Sequence, residues 1–180
     1  KDGHKAYGME FQQWEIPDVM EAAWNTAKRV EMMDEQGIYA QIAYPNALGF
    51  GGQRAMSVEP ELRLESLRIY NDAMADMQAE SGGRILPMAL LPWWDVDLSI
   101  AEMERCAKLG LKGININPNP NEHGMPSLGE PSWNRLWEAC IDHGQPVNFH
   151  IGASDSSTSF LSTGVWPERN ANQKLAMGGV

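Results

Sequence analysis

Basic residues, cysteines and long apolar runs are all scarce in this chain, and each shortage removes a class of function. Only 14 Lys and Arg stand against 24 Asp and Glu, a formal net charge of -10. Nucleic-acid binding needs clustered cations to displace counterions from phosphates, and these basic residues are scattered. The two cysteines, Cys106 and Cys140, lie far apart, each on a predicted helix. They read as buried thiols, neither a disulfide nor a Cys-x-x-Cys metal site. No apolar stretch approaches the roughly 20 residues that span a bilayer, and no leader pattern opens the chain, so a cytoplasmic protein away from membranes is expected. The chain starts at Lys1 without a Met, which suggests a piece of something longer.

What remains is the composition of a folded domain: 180 residues, 43% hydrophobic and 21% charged, enough for one core. Four apolar runs read as strands: Ile38 to Pro45, Arg84 to Pro92, Leu111 to Pro118 and Gln145 to Ile151. Between them, apolar residues recur at helical steps: Leu64, Leu67, Tyr70, Met74 and Met77; Val96, Ile100, Met103 and Ala107; Trp133, Leu136, Trp137 and Cys140. Gly37, Gly83, Gly110 and Gly144 precede the four strands, where a helix ends in a left-handed cap. Repeated βα units imply a parallel sheet with its functional groups at the strands' C-terminal ends. Pro45, Pro92 and Pro118 stop three strands at that end. A further helix is predicted from Pro17 to Met33.

The fourth strand carries the most informative residue, in Pro146-Val147-Asn148-Phe149-His150-Ile151-Gly152-Ala153-Ser154. Strand alternation puts Asn148 and His150 on one face and Val147, Phe149 and Ile151 on the other. An isolated histidine usually just caps a strand. At the C-terminal end of a repeating βα sheet, the same imidazole stands where α/β barrels keep their chemistry.

Eleven Met and seven Trp are abundant, but the methionines fall in helical stretches and read as core filler. Trp93 and Trp94 follow a strand end and can wall a pocket or pack beneath a loop. The loop from Asn46 to Glu59 carries little charge and reads as substrate-facing; its glycines match neither the P-loop nor the dinucleotide fingerprint. His123, set among Asn, Pro and Gly, reads as an exposed loop residue. Lys112 lies at the beginning of its strand, on the wrong rim for a metal-bridging role, and reads as structural.

Taken in order, MDEQGIYAQI from Met33 to Ile42, Tyr44-Pro45-Asn46, Arg68-Ile69-Tyr70-Asn71-Asp72, Gly83-Arg84-Ile85-Leu86-Pro87, Leu109-Gly110-Leu111-Lys112-Gly113 and Val147-Asn148-Phe149-His150-Ile151-Gly152 resemble the metal-dependent amidohydrolases of the branch containing aminocarboxymuconate-semialdehyde decarboxylase. The likeness covers about four-fifths of the chain. It implies a (β/α)8 TIM barrel, of which residues 1–180 form a single partial domain covering about strands two to five. It also implies one divalent metal, zinc or alternatively manganese, at the C-terminal mouth, and hydrolysis or nonoxidative decarboxylation of a small, often aromatic, carboxylic acid. By the same resemblance His150 is a metal ligand. Asn148, Tyr44, Asn46, Trp93, Asn115 and Asn117, with Pro92, line the substrate pocket.

The family's first strand carries a His-x-His or Glu-x-His pair, and none occurs before Ile38. A final-strand Asp is expected beyond Val180. A small-molecule substrate is the expected partner, without nucleic acid or membrane, and a homo-oligomer stays open. Two other readings compete: a metal-independent α/β enzyme with His150 as general base, and a non-catalytic partial barrel serving as an interaction module.

Overall fold

The computed structural model describes residues 13–150 together with Gly152 and Ala153. Phe11, Ile151 and Ser154 lie outside the described residues. The elements are α1 (Thr26–Glu35), β1 (Gln41–Ala43), α2 (Pro60–Glu80), β2 (Ile85–Pro87), β3 (Ala89–Leu90), α3 (Val96–Lys108), β4 (Ile114–Asn115), α4 (Asn134–Asp142) and β5 (Val147–Asn148).

Every strand pairing is parallel, and neighbours in space are neighbours in sequence. β2 and β3 are the two halves of the second apolar run, divided at Met88, where the run changes partner. Met88 N–H still donates to Ala43 O of β1, whereas Ala89 N–H already donates to Gly113 O beside β4. Asn115 then stands in register with Leu90 on one side and Asn148 on the other. Sequential parallel strands with helices between them are what the repeat suggested, and they match a segment of the (β/α)8 barrel that the resemblance implied.

The chain enters β1 by a different route from the one predicted. In place of one helix over Pro17 to Met33 there are short turns at Ile16–Asp18 and Glu21–Ala23, and then α1. The reason is a cap: the Asn25 side chain accepts from Lys28 N–H at 3.1 Å and starts the helix at Thr26. α1 ends when Ile38 N–H returns to Met33 O across Gly37, held at φ 69°. Ile38 and Tyr39 then stay out of the ladder, because the Arg84 guanidinium takes both carbonyls, at 2.8 and 2.9 Å. The strand is therefore shorter than its apolar run.

One sheet face is dry. Ala89, Leu91, Ile114 and Ile116 pack against Met103 and Cys106 of α3 and Leu136 and Cys140 of α4, with Trp93, Leu111 and Trp133 sealed in the same cluster. The residues at helical spacing do turn inward, and of the methionines in helices Met33 and Met103 are fully buried while Met32, Met74 and Met77 are half-buried; Met20, outside the helices, is exposed. Burial pushes the Cys140 thiol up to about 11, and the Cys106 thiol is raised further, first by burial and then by the neighbouring Glu102 carboxylate. Both are packing groups, not nucleophiles. No helix among the described residues is long and apolar enough to cross a membrane.

Candidate functional site

Alternation along the strands places Asn115 and Asn117, Asn148 and His150, and Met88 on the face opposite the helices. This is the lumen side of the barrel segment, and the residues meet there in one contiguous cluster. Tyr44, just past β1, donates its hydroxyl to Asn148 Oδ1 at 3.3 Å. The Asn148 amide nitrogen is directed at Ile114 O, Pro146 O and Met88 Sδ, at 3.1, 3.2 and 3.1 Å. Asn148 therefore ties three strands together while keeping an oxygen toward Tyr44.

His150 is half-buried between two aromatic rings. Phe50 stacks on it with centroids 4.3 Å apart and planes 21° from parallel, and Tyr44 meets it edge-on at 5.1 Å and 67°. Phe50 comes from the loop after β1, which turns inward over the strand ends. Three consecutive loop residues each cover one expected site residue. Phe50 O accepts from the Asn115 side chain. Gly51 lies so close to β4 that a Cβ there would stand 3.0 Å from Asn117 Cα and 2.4 Å from Ala153 O. A Cβ at Gly52 would lie 3.6 Å from Trp93 Nε1. Gln53 fastens the loop, accepting from Gly51 N–H and donating to Gly152 O, each at 3.0 Å. Neither Phe50 nor Gln53 stood out in the sequence; the low charge and glycine content of their loop was the available signal.

The six residues expected at the substrate therefore separate by depth. Tyr44 and Asn46 reach solvent, Asn148 is half-buried, and Asn115, Asn117 and Trp93 are buried beneath the loop. Asn117 Oδ1 accepts from Asn119 N–H at 2.9 Å, while Asn117 Nδ2, Asn115 Oδ1 and Trp93 Nε1 meet no hydrogen-bonding group among the described residues. Pro92 is buried as well. The reading of His123 as an exposed loop residue is corrected: its ring is half-buried and lies 5.0 Å from the Trp93 ring, drawn in by the turn at Pro120–His123. Lys112 is exposed before β4, away from the strand ends.

His150 stands just past the C-terminal end of β5, and its imidazole is of the chemical type that takes part in metal-ligand sets. It fits one place in such a set. No group of three or more His, Cys, Asp or Glu that could hold a metal occurs among the described residues. A catalytic metal normally takes at least three protein ligands, so the described residues do not complete a site.

Parallel βα units with an imidazole and polar side chains near the strands' C-terminal ends are the arrangement of an α/β-barrel segment with its site at that rim. The Amidohydrolase family profile matches residues 14–176, and the chain belongs to that family. It is 35% identical over 92 residues to a gamma-resorcylate decarboxylase from Polaromonas sp., covering 50% of this chain and 27% of that protein. It is 26% identical over 156 residues to a 2-keto-4-carboxy-3-hexenedioate hydratase from Sphingobium sp., covering 81% of this chain and 42% of that protein. The chain thus spans less than half the length of these two relatives. Among solved structures, it is similar to a dihydroxybenzoic acid decarboxylase from Polaromonas sp. with bound manganese and the inhibitor 2-nitroresorcinol. That likeness has a TM-score of 0.61 at 25% identity and covers 89% of this chain and 48% of the other. A 5-carboxyvanillate decarboxylase from Sphingomonas paucimobilis has the same fold over 84% of this chain and 44% of its own, with a TM-score of 0.59 at 21% identity.

Proposed function

We propose that residues 1–180 are one partial-barrel domain of a metal-dependent enzyme that decarboxylates a small aromatic acid without oxidation. The observation that carries this reading is the lumen-facing His150 at the C-terminal end of β5, in a chain whose family match runs almost from end to end. Relatives that act on gamma-resorcylate and dihydroxybenzoic acid favour decarboxylation over the hydrolysis that the resemblance also allowed. A relative with bound manganese favours that metal over zinc, the first expectation.

His150 supplies one ligand as the neutral imidazole, and the others come from outside the described residues. The metal, when bound, would hold and polarise the acid so that charge developing on the ring is stabilised. Tyr44 and Asn46 are the open side chains that meet the substrate first. Asn148, Asn115 and Asn117, with Pro92 and Trp93 at the end of the neighbouring strand, shape the pocket. A small molecule is the partner, the protein works in the cytoplasm without nucleic acid or membrane, and self-association is compatible with this arrangement.

The test uses the whole protein, loaded separately with Mn2+ and Zn2+, against hydroxybenzoates, unsaturated keto acids, and amide and lactone substrates. Carbon dioxide release from a hydroxybenzoate is the expected result. Turnover confined to hydration or hydrolysis would overturn the decarboxylase reading.

A further inference from the structure

The lumen asparagines and the two aromatic rings form a chain of contacts that converges on His150. We infer that Phe50 and Tyr44 are positioning residues, an aromatic cradle that fixes the plane and direction of the His150 imidazole before any ligand arrives. The inference rests on the reading of His150 as a metal ligand.

A ring at the end of a short strand would otherwise turn about its side-chain bonds, and each turn swings its lone pair out of line. Histidine ligands are usually oriented by a hydrogen bond to the second ring nitrogen. Here two aromatic contacts confine the ring in addition: the near-parallel Phe50 ring with centroids 4.3 Å apart, and the Tyr44 ring inclined at 67° with centroids 5.1 Å apart. Two walls at a large angle to each other restrict rotation of the ring, and the edge-on pair with Tyr44 has a geometry that aromatic quadrupoles favour.

Both walls are themselves held. Asn148 Oδ1 accepts from the Tyr44 hydroxyl, and the Asn148 amide is pinned to Ile114 O and Pro146 O. The Asn115 amide holds the Phe50 carbonyl, and Gln53 clips the same loop to Gly152 O, two residues past His150. Gly152, at φ 84°, lets the chain turn beside the Phe50 ring, where a Cβ would come within 3.3 Å of Phe50 Cδ2. The asparagines thus contribute to ligand geometry through the rings they fix.

The test is nuclear magnetic resonance of the His150 ring in metal-free whole protein, paired with titration of Mn2+ alone, in wild type, Phe50→Leu, Phe50→Tyr and Tyr44→Phe. Phe50→Leu keeps apolar bulk but removes the stacking face. It should shift the His150 ring resonances and weaken Mn2+ binding by about 10-fold or more, within the range seen when an outer partner of a ligand is lost. Phe50→Tyr should restore both readouts, and Tyr44→Phe, which keeps the edge contact but frees it from Asn148, should produce a smaller change in the same direction. Unchanged resonances in Phe50→Leu, or shifted resonances with unchanged Mn2+ affinity, would overturn the inference. Failure of the underlying reading is recognised separately: His150→Ala would then bind Mn2+ as wild type does, even while the wild-type ring still senses Phe50.

Discussion

The two faces of the short parallel sheet are built from opposite materials. Toward α3 and α4 the strands present Ala89, Leu91, Ile114 and Ile116 to a sealed apolar cluster. Toward the lumen they present Asn115, Asn117, Asn148 and His150, roofed by one loop with Phe50 at its tip. Successive residues of the same strand serve the two purposes, since side chains alternate. The helix side holds the fold through apolar area and close packing. The lumen side holds positions, with short polar side chains whose value lies in direction more than in burial. Substitutions on the two sides should therefore fail in different ways.

The largest loss of stability should come from the dry side. Trp133 is fully buried, and its indole N–H donates to Pro126 O at 3.0 Å. Trp133→Ala removes one of the two largest fully buried side chains of this cluster and should cost about 3 to 5 kcal/mol in a denaturant titration. A cost below about 1 kcal/mol would mean that this cluster does not carry the fold.

Asn71 tests the seam between the two sides. It is fully buried on α2, where its side chain donates to Leu90 O and accepts from Leu90 N–H, both at 2.9 Å, standing in for a neighbouring strand. It also donates to Glu102 Oε1 at 2.8 Å. Asn71→Ala would leave both backbone groups of Leu90 unpaired and should cost about 1 to 3 kcal/mol.

Glu102, fully buried on α3, gives this seam a pH dependence. Burial pushes its carboxyl up, but hydrogen bonds from Arg105 and Asn71 and the charge of Arg105 outweigh that and hold it below the ordinary value of 4.5. A depressed carboxyl contributes stability that is complete above the unfolded value and is lost as pH falls through the folded one. Wild type should therefore lose stability below about pH 4.5 more steeply than Glu102→Gln. Parallel curves from acid denaturation would remove Glu102 from the explanation.

On the lumen side, Gly51→Ala forces a Cβ against Ala153 O and Asn117 Cα and should lift the loop off the strand ends. Overpacking of this kind costs about 1 to 3 kcal/mol, and the lower end is expected because the loop can move. Loss of the Phe50 effect on the His150 ring, read by magnetic resonance, marks the displacement.

Much of the helix side was legible in the sequence, because apolar residues at helical spacing have few alternatives to a core. Its polar members were not. Asn71, Ser99 and Glu102 interrupt apolar faces and are nonetheless buried, each satisfied by a partner distant in sequence or by backbone that only the folded strand supplies. The Arg68-Ile69-Tyr70-Asn71-Asp72 segment entered the resemblance without a physical reason. Its reason is now visible, since Arg68 and Asn71 reach Glu102 and Asp72 reaches Arg105, tying α2 to α3. At the site, strand alternation located Asn148 and His150 on one face. It could not show that a loop about 100 residues earlier supplies the ring stacked on His150, because loop paths depend on tertiary contacts.

The central claim is that His150 serves the metal and not the fold. Elemental analysis of the whole protein, wild type against His150→Ala, tests it most directly, with circular dichroism and a denaturant midpoint measured on the same samples. The expected result is a folded protein of near wild-type stability whose metal affinity is lower by more than the roughly 10- to 100-fold that loss of an outer partner costs. A folded His150→Ala protein with its full complement of metal would contradict the claim.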